Sequence, residues 1–296
     1  MSFLSEIHKR GVVIAPPKFL FDNTHYEVIM GSVAYGVSND DSDMDIYGWC
    51  IPPKEDIFPH LVGEIPGFGR QKQRFEQYVQ HHIKDDEKNR EYDITIYGIV
   101  KYFSLVMENN PNMIDSLFVP QHCVLSCTPA AQMVRDNREL FLHKGTYHKF
   151  RGYAHSQLAK IDSKSFEGSE KRRAEVSEYG YSVKFAYHVV RFLDEAEQIL
   201  QEGTLDLLKS KEVLKSIRRG EWKLQQIKDY FTEKEVYLKK LYEESRLPYS
   251  PDEGRIKQLL IDCLETHYGS LSAAIVNPDR FQVAFGRIAE IVDSIR

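Results

Sequence analysis

The spacing of hydrophobic residues changes partway along the chain. Up to about residue 125, apolar and polar positions alternate over short runs: Tyr26, Val28 and Met30 lie at period two, and segments 74–83 and 92–94 have the composition of a β-hairpin. From about residue 130 onward, apolar residues recur at i, i+3 and i+4, which predicts helices. The predicted helices cover residues 130–142, 147–161, 170–202, 211–219, 222–246, 252–267 and 278–295.

This order of elements predicts an α+β fold. Residues 1–125 are expected to form a small mixed-sheet domain, and residues 126–296 an all-α helical domain. Between two such domains lies a cleft, which is where ligands commonly bind. We therefore expect the functional residues to come from both parts of the chain.

Within residues 1–125, prolines, glycines and a helix-capping residue indicate where the predicted helices and strands begin and end. An amphipathic helix is predicted at residues 3–7, and Pro16-Pro17 separates it from the first strand. Residues 54–72, rich in Pro and Gly, are predicted to form a loop. Thr95 is expected to cap a helix that ends at Asn109-Asn110-Pro111. The apolar positions of that helix are Ile96, Ile99, Val100, Phe103, Val106 and Met107.

Composition is that of an ordinary globular protein, with 42% hydrophobic and 28% charged residues. No apolar run reaches about 18 residues, so no membrane span is expected. The N-terminal segment lacks the apolar stretch of a signal peptide, so we expect a cytoplasmic protein.

The four cysteines do not form the pattern of a disulfide framework, and we interpret Cys50, Cys123, Cys127 and Cys263 as free thiols. The alternative is a zinc site at Cys123, Cys127 and His122, but no second pair at zinc spacing accompanies them.

The formal net charge is −5, which argues against a protein that coats nucleic acid through its overall charge. The segment 209–240 differs from the rest, with ten Lys and Arg against five Asp and Glu. One interpretation is a basic surface for RNA, and the other is a solvated helix face with i,i+4 pairs.

The chemistry-bearing stretch runs from Met30 to Tyr47. A strand leads into Gly31-Ser32, where a glycine admits a close ligand and a hydroxyl adds a donor for phosphate. Ten residues separate Ser32 from Asp43-Met44-Asp45-Ile46, and on a strand both carboxylates share one face. Adjacent carboxylates repel unless a cation lies between them, and oxygen ligands suit Mg²⁺ or Mn²⁺. The alternative is a solvated acidic loop that also includes Asp40 and Asp41.

The combination of Gly-Ser with Asp-x-Asp at this spacing resembles the signature of the nucleotidyltransferase superfamily typified by DNA polymerase β. The sequence Gly-Ser-x-Ala-Tyr-Gly, then Asp-Ser-Asp-x-Asp, then Gly-x-x-x-Pro-Pro ending at Pro53 is similar to predicted nucleotidyltransferases of RNA-repair operons and phages. This resemblance implies a third carboxylate on a neighbouring strand. Asp93 is our candidate, and Asp85 and Asp86 are alternatives in a polar turn. An acid after the Asn110-Pro111 step, here Asp115, is also similar to the family pattern.

A second group of polar residues lies in the helical part. Lys184, His188 and Arg191 are spaced i, i+4 and i+7, so a helix places them in one line beside an apolar stripe. The resemblance implies that they bind the nucleotide, and cationic groups suit a triphosphate. The alternative is a solvated face. Arg151 and Lys160 are weaker candidates for the same cleft.

The resemblance implies an enzyme in which two divalent ions are held by Asp43, Asp45 and Asp93, with the nucleotide at Gly31, Ser32 and the helical cations. The expected reaction moves a nucleoside monophosphate from an NTP such as ATP to an RNA 3′-hydroxyl, of a tRNA or a damaged RNA, and releases pyrophosphate. Two alternatives stay open. One is nucleotidylation of a protein or a small molecule, and the other is a non-catalytic nucleotide or RNA sensor.

Overall fold

The computed structural model describes residues 2–38, 43–58, 73–162 and 170–269, together with Ile65 and Gly67. The predicted helix 278–295, and Asp40 and Asp41 of the acidic segment, lie outside these residues.

Five strands form one mixed sheet in the order β3-β4-β2-β1-β5. The β2–β4 pair is parallel, and the pairs β1–β2, β1–β5 and β3–β4 are antiparallel. The strands are β1 (Thr24–Ile29), β2 (Met44–Cys50), β3 (Gln77–Asp85), β4 (Arg90–Gly98) and β5 (Val124–Cys127).

Thirteen α-helices accompany this sheet in the part of the chain that the structure describes. Those before residue 125 are α1 (Phe3–Lys9), α2 (Leu20–Asn23), α3 (Gly31–Ala34), α4 (Lys54–Ile57), α5 (Ile99–Met107) and α6 (Pro111–Phe118). Those after it are α7 (Pro129–Asp136), α8 (Thr146–Asp162), α9 (Glu170–Tyr179), α10 (Val183–Glu202), α11 (Lys211–Arg218), α12 (Leu224–Glu244) and α13 (Glu253–Tyr268). Short 3₁₀ turns cover Gln121–Cys123 and Arg138–Phe141. The expected α+β class, with a mixed sheet followed by helices, is confirmed.

The two faces of the sheet are covered by different parts of the chain. Ile46 and Ile94 point to the face that α1 covers, where they pack with its buried Leu4. Trp49 and Val28 point to the opposite face and join the larger core that extends through the helices. Because side chains alternate along a strand, residues 43, 45 and 47 of the β2 segment lie on this second face.

Helix α10 is the centre of the helical part, and α8, α11 and α12 pack around it. Fourteen of its 20 residues are buried, so apolar groups surround most of its circumference. It ends at Gly203, whose φ of 68° suits a left-handed C-cap. The larger core runs without a break from the sheet into these helices. The expected boundary after residue 125 falls inside β5, and the division into two domains stays a prediction.

Several element ends differ from those expected. Thr95 does not cap a helix, because β4 continues to Gly98 in register with Cys50, and α5 begins at Ile99. The predicted helix 170–202 is interrupted after Tyr179 at Gly180, where φ is 80°. The predicted helix 130–142 ends at Asp136 and continues as a 3₁₀ turn, and residues 54–57 of the expected loop form α4.

The cysteines are free thiols, as expected. Among the described residues, no helix has the length and apolar character needed to cross a membrane.

Candidate active site

The turn between β1 and α3 brings the backbone against a carboxylate. The Met30 N–H donates to the Asp45 main-chain oxygen at 2.7 Å, which holds the turn beside β2. Gly31 has φ of 65°, and a Cβ added there would lie 2.3 Å from Asp45 Oδ2. The left-handed backbone favours glycine at this position, and any side chain there would force the Asp45 carboxylate to move.

Register in the sheet brings two of the predicted acids together. Asp45 in β2 lies directly opposite Asp93 in the parallel strand β4. Both carboxylates therefore lie on one face, the one covered by the helical part. Burial raises the pKa of Asp45, the charges of Asp93 and Asp43 raise it further, and the charge of Lys184 opposes that rise. The site thus carries more negative charge than its own cations neutralise.

The other acids lie in different surroundings. Asp43 is exposed just before β2, on the side of the strand that Asp45 occupies. Asp85, one alternative for the third acid, is buried against Arg10 at 2.8 Å and accepts a hydrogen bond from the Tyr92 hydroxyl on the opposite face of the sheet. Asp86 lies exposed in the turn after β3. Of the three candidates, Asp93 is the one that meets Asp45.

A β-bulge lies opposite Asp93, and sequence reasoning missed it. Two residues of β3, His81 and His82, face this one residue of β4, because the register shifts between Gln80 and Ile83. His82 has φ of 56° although it is not a glycine. Its N–H donates to Asp93 Oδ1 at 2.8 Å, and His81 Nδ1 lies 3.4 Å from Asp93 Oδ2. The bulge therefore holds both oxygens of the third acid.

The same bulge brings a histidine ring to two acids. His82 Nδ1 lies 2.5 Å from Glu91 Oε1, and the hydrogen bond with Glu91 raises the pKa of His82. Ligand atoms of His82, Glu91 and Asp93 lie within 4.8 Å of one another. In the part of the chain that the structure describes, this is the group with metal-ligand spacing, and Asp43 and Asp45 are not members of it. The sequence signal that could have indicated this group is the pair of adjacent histidines, His81 and His82, inside a predicted strand.

The three helical residues do not form the single polar line that was expected. Lys184 is exposed, and its charge opposes the rise in the pKa of Asp45. The His188 ring packs 6.0 Å from Phe192, and burial lowers its pKa, with the charges of Arg191 and Lys184 acting in the same direction. Its Nδ1 is buried without a hydrogen-bond partner.

Arg191 is buried in an ion-pair cluster, so it lies neither on the expected polar line with Lys184 and His188 nor on a solvated face. Its exposure is 2%, and it donates to the buried carboxylate of Asp115, to Tyr35 Oη at 2.6 Å and to Glu195 at 3.1 Å. The Tyr35 hydroxyl also donates to Asp115 at 2.6 Å. We call Arg191, Asp115, Glu195 and Tyr35 the buried cluster. It links the residue after α3 to α6 and α10.

The remaining candidate cations have protein partners. Arg151 pairs with Glu235 of α12 rather than pointing into a cleft, and the Lys160 amino group lies 5.7 Å from the Phe185 ring. In the segment 209–240, pairs within a helix occur at i,i+3 and i,i+4, and others join different elements, such as Lys228 with Asp162. Arg218 donates to the Val37 carbonyl at 2.6 Å, which places it next to the residues that follow α3.

Comparison with known protein families shows which family this chain belongs to. The sequence matches the RNA repair pathway DNA polymerase beta family, RlaP, over residues 2–237. The chain belongs to this family. The match covers the β1 turn, the Asp-x-Asp strand, Asp93 and helix α10, so it includes all the site residues discussed above. The family predicted from the Gly-Ser and Asp-x-Asp motifs is confirmed.

Individual proteins add little to this result. A solved nucleotidyltransferase-like protein from Exiguobacterium sibiricum 255-15 is 10% identical, and the similarity covers 87% of this chain and 73% of that protein with a TM-score of 0.29. Similarity at that level establishes neither a common fold nor a common function. No curated protein matches the sequence.

Proposed function

We propose that this protein is a metal-dependent nucleotidyltransferase that moves a nucleoside monophosphate from an NTP to the 3′-hydroxyl of an RNA and releases pyrophosphate. The observation that carries the proposal is the pairing of Asp45 with Asp93 beside Gly31, on the face of the sheet whose core continues into the helices. Family membership supports a polymerase β-like transferase in RNA repair. The identity of the acceptor, the metal requirement and the roles of individual residues are our proposal and go beyond family membership.

The carboxylates fit a divalent cation such as Mg²⁺ or Mn²⁺. Asp45 is half-buried, and burial together with the charges of Asp93 and Asp43 raises its pKa, an effect that a bound cation would oppose. All the donors are oxygens, which suits these hard ions. Asp43, Asp45 and Asp93 would hold the metal, which supplies charge neutralisation at the transferred phosphate and lowers the pKa of the acceptor hydroxyl.

The chain's own residues position the triphosphate. Gly31 lets a phosphate approach the main chain, and Ser32, half-exposed on the same turn, offers a hydroxyl donor. Lys184 adds a positive charge close enough to Asp45 to oppose the rise in its pKa. Positioning and charge neutralisation account for most of the catalysis in phosphoryl transfer, so a separate general base is not required.

In this proposal Arg191 does not contact the nucleotide but positions residues that do. Through Asp115 and Tyr35 it ties the residues after the Gly31-Ser32 turn to helix α10. Lys184 lies on that helix, so the buried cluster sets the distance between Lys184 and the turn. His188, one helical turn from Lys184, keeps a buried Nδ1 that a bound ligand or water would satisfy.

RNA is favoured as the acceptor by a cavity beside the nucleotide site. A space of about 450 Å³ lies between α9, α11 and the end of the α3 turn. Val37 and Ser38 line one side, the three cations Lys215, Arg218 and Arg219 line another, and two acids of α9, Glu175 and Glu178, also contribute. Clustered cations suit a phosphate backbone. The alternative acceptor is a hydroxyl of a protein or a small molecule, which has no phosphate backbone for these cations to bind.

Incubating the purified protein with Mg²⁺ and each labelled NTP, with and without bulk tRNA, tests the proposal. Label that moves to tRNA, and does so only with Mg²⁺ or Mn²⁺, is the expected result. Label on the protein itself or on a small molecule would replace RNA as acceptor, and binding without transfer would identify a sensor.

A further inference from the structure

We infer that His82, Glu91 and Asp93 form a second divalent metal site, one that prefers a transition-metal ion to Mg²⁺ and shares Asp93 with the proposed Asp43–Asp45 site. The inference rests on the proposed function only through this sharing. The three side chains come from two neighbouring strands, and each offers one ligand atom within 4.8 Å of the other two.

The spacing of the donors is close to that of a coordination shell. Donors about 2.1 Å from an octahedral ion lie about 3 Å apart when adjacent and about 4.2 Å apart when opposite. His82 Nδ1 and Glu91 Oε1 lie 2.5 Å apart in a hydrogen bond, so an ion that binds both would displace the shared proton and increase their separation by about 0.5 Å. Small side-chain rotations therefore suffice to close the group around an ion.

The bulge in β3 is what brings the imidazole to the acids. Glu91 and Asp93 lie two residues apart on β4 and share a face. A regular β3 would place one residue opposite Asp93, but the register shift places two there. The left-handed backbone of His82, with φ of 56°, is uncommon for a residue other than glycine, and it turns this residue toward the acids.

The donor set decides the kind of metal. A nitrogen donor is poorly suited to Mg²⁺, which prefers oxygen ligands and retains water, whereas imidazole together with carboxylates suits divalent transition metals. The side chains are open to entering ions, since 80% of the His82 side chain and about a third of Glu91 and Asp93 are exposed. By contrast, the Asp43–Asp45 pair offers oxygens alone.

Mn²⁺ binding, followed by electron paramagnetic resonance in the presence of excess Mg²⁺, tests the inference. Wild type should retain one Mn²⁺ per chain that Mg²⁺ does not displace. His82→Gly removes the ring and accepts the positive φ, and Glu91→Gln removes a charge from the other strand. Each should weaken this Mn²⁺ by about tenfold or more, while Asp45→Asn should keep it.

Matched controls are His122→Ala and Glu87→Gln, an exposed histidine and an exposed acid outside the group. Metal-free unfolding curves should match wild type for His82→Gly, Glu91→Gln and the two controls, which shows that these variants are folded. If His82→Gly and Glu91→Gln bind Mn²⁺ as wild type does, or if Mg²⁺ displaces the wild-type Mn²⁺ fully, the inference is wrong. Transfer by Asp45→Asn at the wild-type rate would instead refute the proposed function, so the two failures are distinct.

Discussion

Two groups of charged residues adjoin the segment from Gly31 to Tyr35, and their excess negative charge is compensated in different ways. At the carboxylate site, Asp45 and Asp93 lie opposite each other with Asp43 nearby, and the charge of Lys184 opposes the rise in the pKa of Asp45. In the buried cluster, Asp115 and Glu195 share one guanidinium inside the core. The first group is open to solvent and can recruit an external ion, whereas the second must be neutralised within the protein.

Burial decides this difference. Asp115 is 0% exposed and Glu195 5% exposed, and burial raises the pKa of both carboxyls, well above the usual range for Glu195. Arg191 supplies one positive charge to two carboxylates, and their raised pKa values favour uptake of a proton over a second buried negative charge. No proton is needed at the open site if a divalent ion binds. We therefore expect substitutions in the first group to affect chemistry and those in the second to affect folding.

The largest expected effect is on transfer by Asp45→Asn or Asp43→Asn. Each removes a metal-ligand charge, and we expect activity to fall by at least about a thousandfold, equal to about 4 kcal/mol of transition-state stabilisation. The measurement is labelled NMP transfer at saturating Mg²⁺. Turnover near the wild-type rate in either variant would contradict the assignment of this pair to the metal.

The same Asp45→Asn variant should be slightly more stable than wild type when no metal is present. The folded-state pKa of Asp45 is raised, so its contribution to the free energy of unfolding is greatest at low pH and is lost as the pH rises through that pKa. The gain from Asn should therefore be seen at neutral pH and vanish in acid. Urea unfolding at several pH values, with chelator present, checks this.

The buried cluster should respond in the opposite way. Arg191→Met leaves Asp115 buried without its cation, and loss of one partner of a buried ion pair costs about 3–5 kcal/mol of unfolding free energy. Lys184→Met is the matched control on the same helix, and because Lys184 is exposed we expect little change in stability. If the two variants are equally stable in urea unfolding, the ion pairs of Arg191 in the buried cluster do not contribute to the stability of the fold.

Lys184→Ala should instead weaken apparent NTP affinity. Its positive charge acts on Asp45, so removal should raise KM for the NTP by about tenfold, which corresponds to about 1.4 kcal/mol. Steady-state kinetics at fixed Mg²⁺ give this value. An unchanged KM would return Lys184 to the interpretation of a solvated helix face.

The smallest effect concerns the acceptor. Reversal of Arg218 and Arg219 to Glu should weaken tRNA binding and flatten its dependence on salt, because each lost phosphate contact removes counterion release. Lys239 and Lys240 reversed to Glu provide the matched control, since both are exposed on α12 and do not line the cavity. Filter binding at two salt concentrations gives the slope. Identical curves for the two double variants would favour a protein or small-molecule acceptor.

Local patterns were enough to predict much of this site. Gly31, Ser32 and the Asp43-x-Asp45 pair are close in sequence, and strand alternation determines which face each side chain takes. Alternation also separated Asp93 from Asp85 and Asp86, and the structure places Asp93 opposite Asp45. Helical periodicity likewise identified α10, because its apolar residues repeat along a single element.

Contacts between distant segments decided the rest. The end of β4 at Gly98 depends on pairing with β2, which outweighs the helix-capping tendency of Thr95. Arg191 is buried because Asp115 and Tyr35, from distant parts of the chain, compensate its charge. The bulge at His82 exists only opposite its partner strand. Sequence periodicity by itself thus determined which residues share a face, whereas burial and charge balance, which depend on what packs against that face, were set by the tertiary structure.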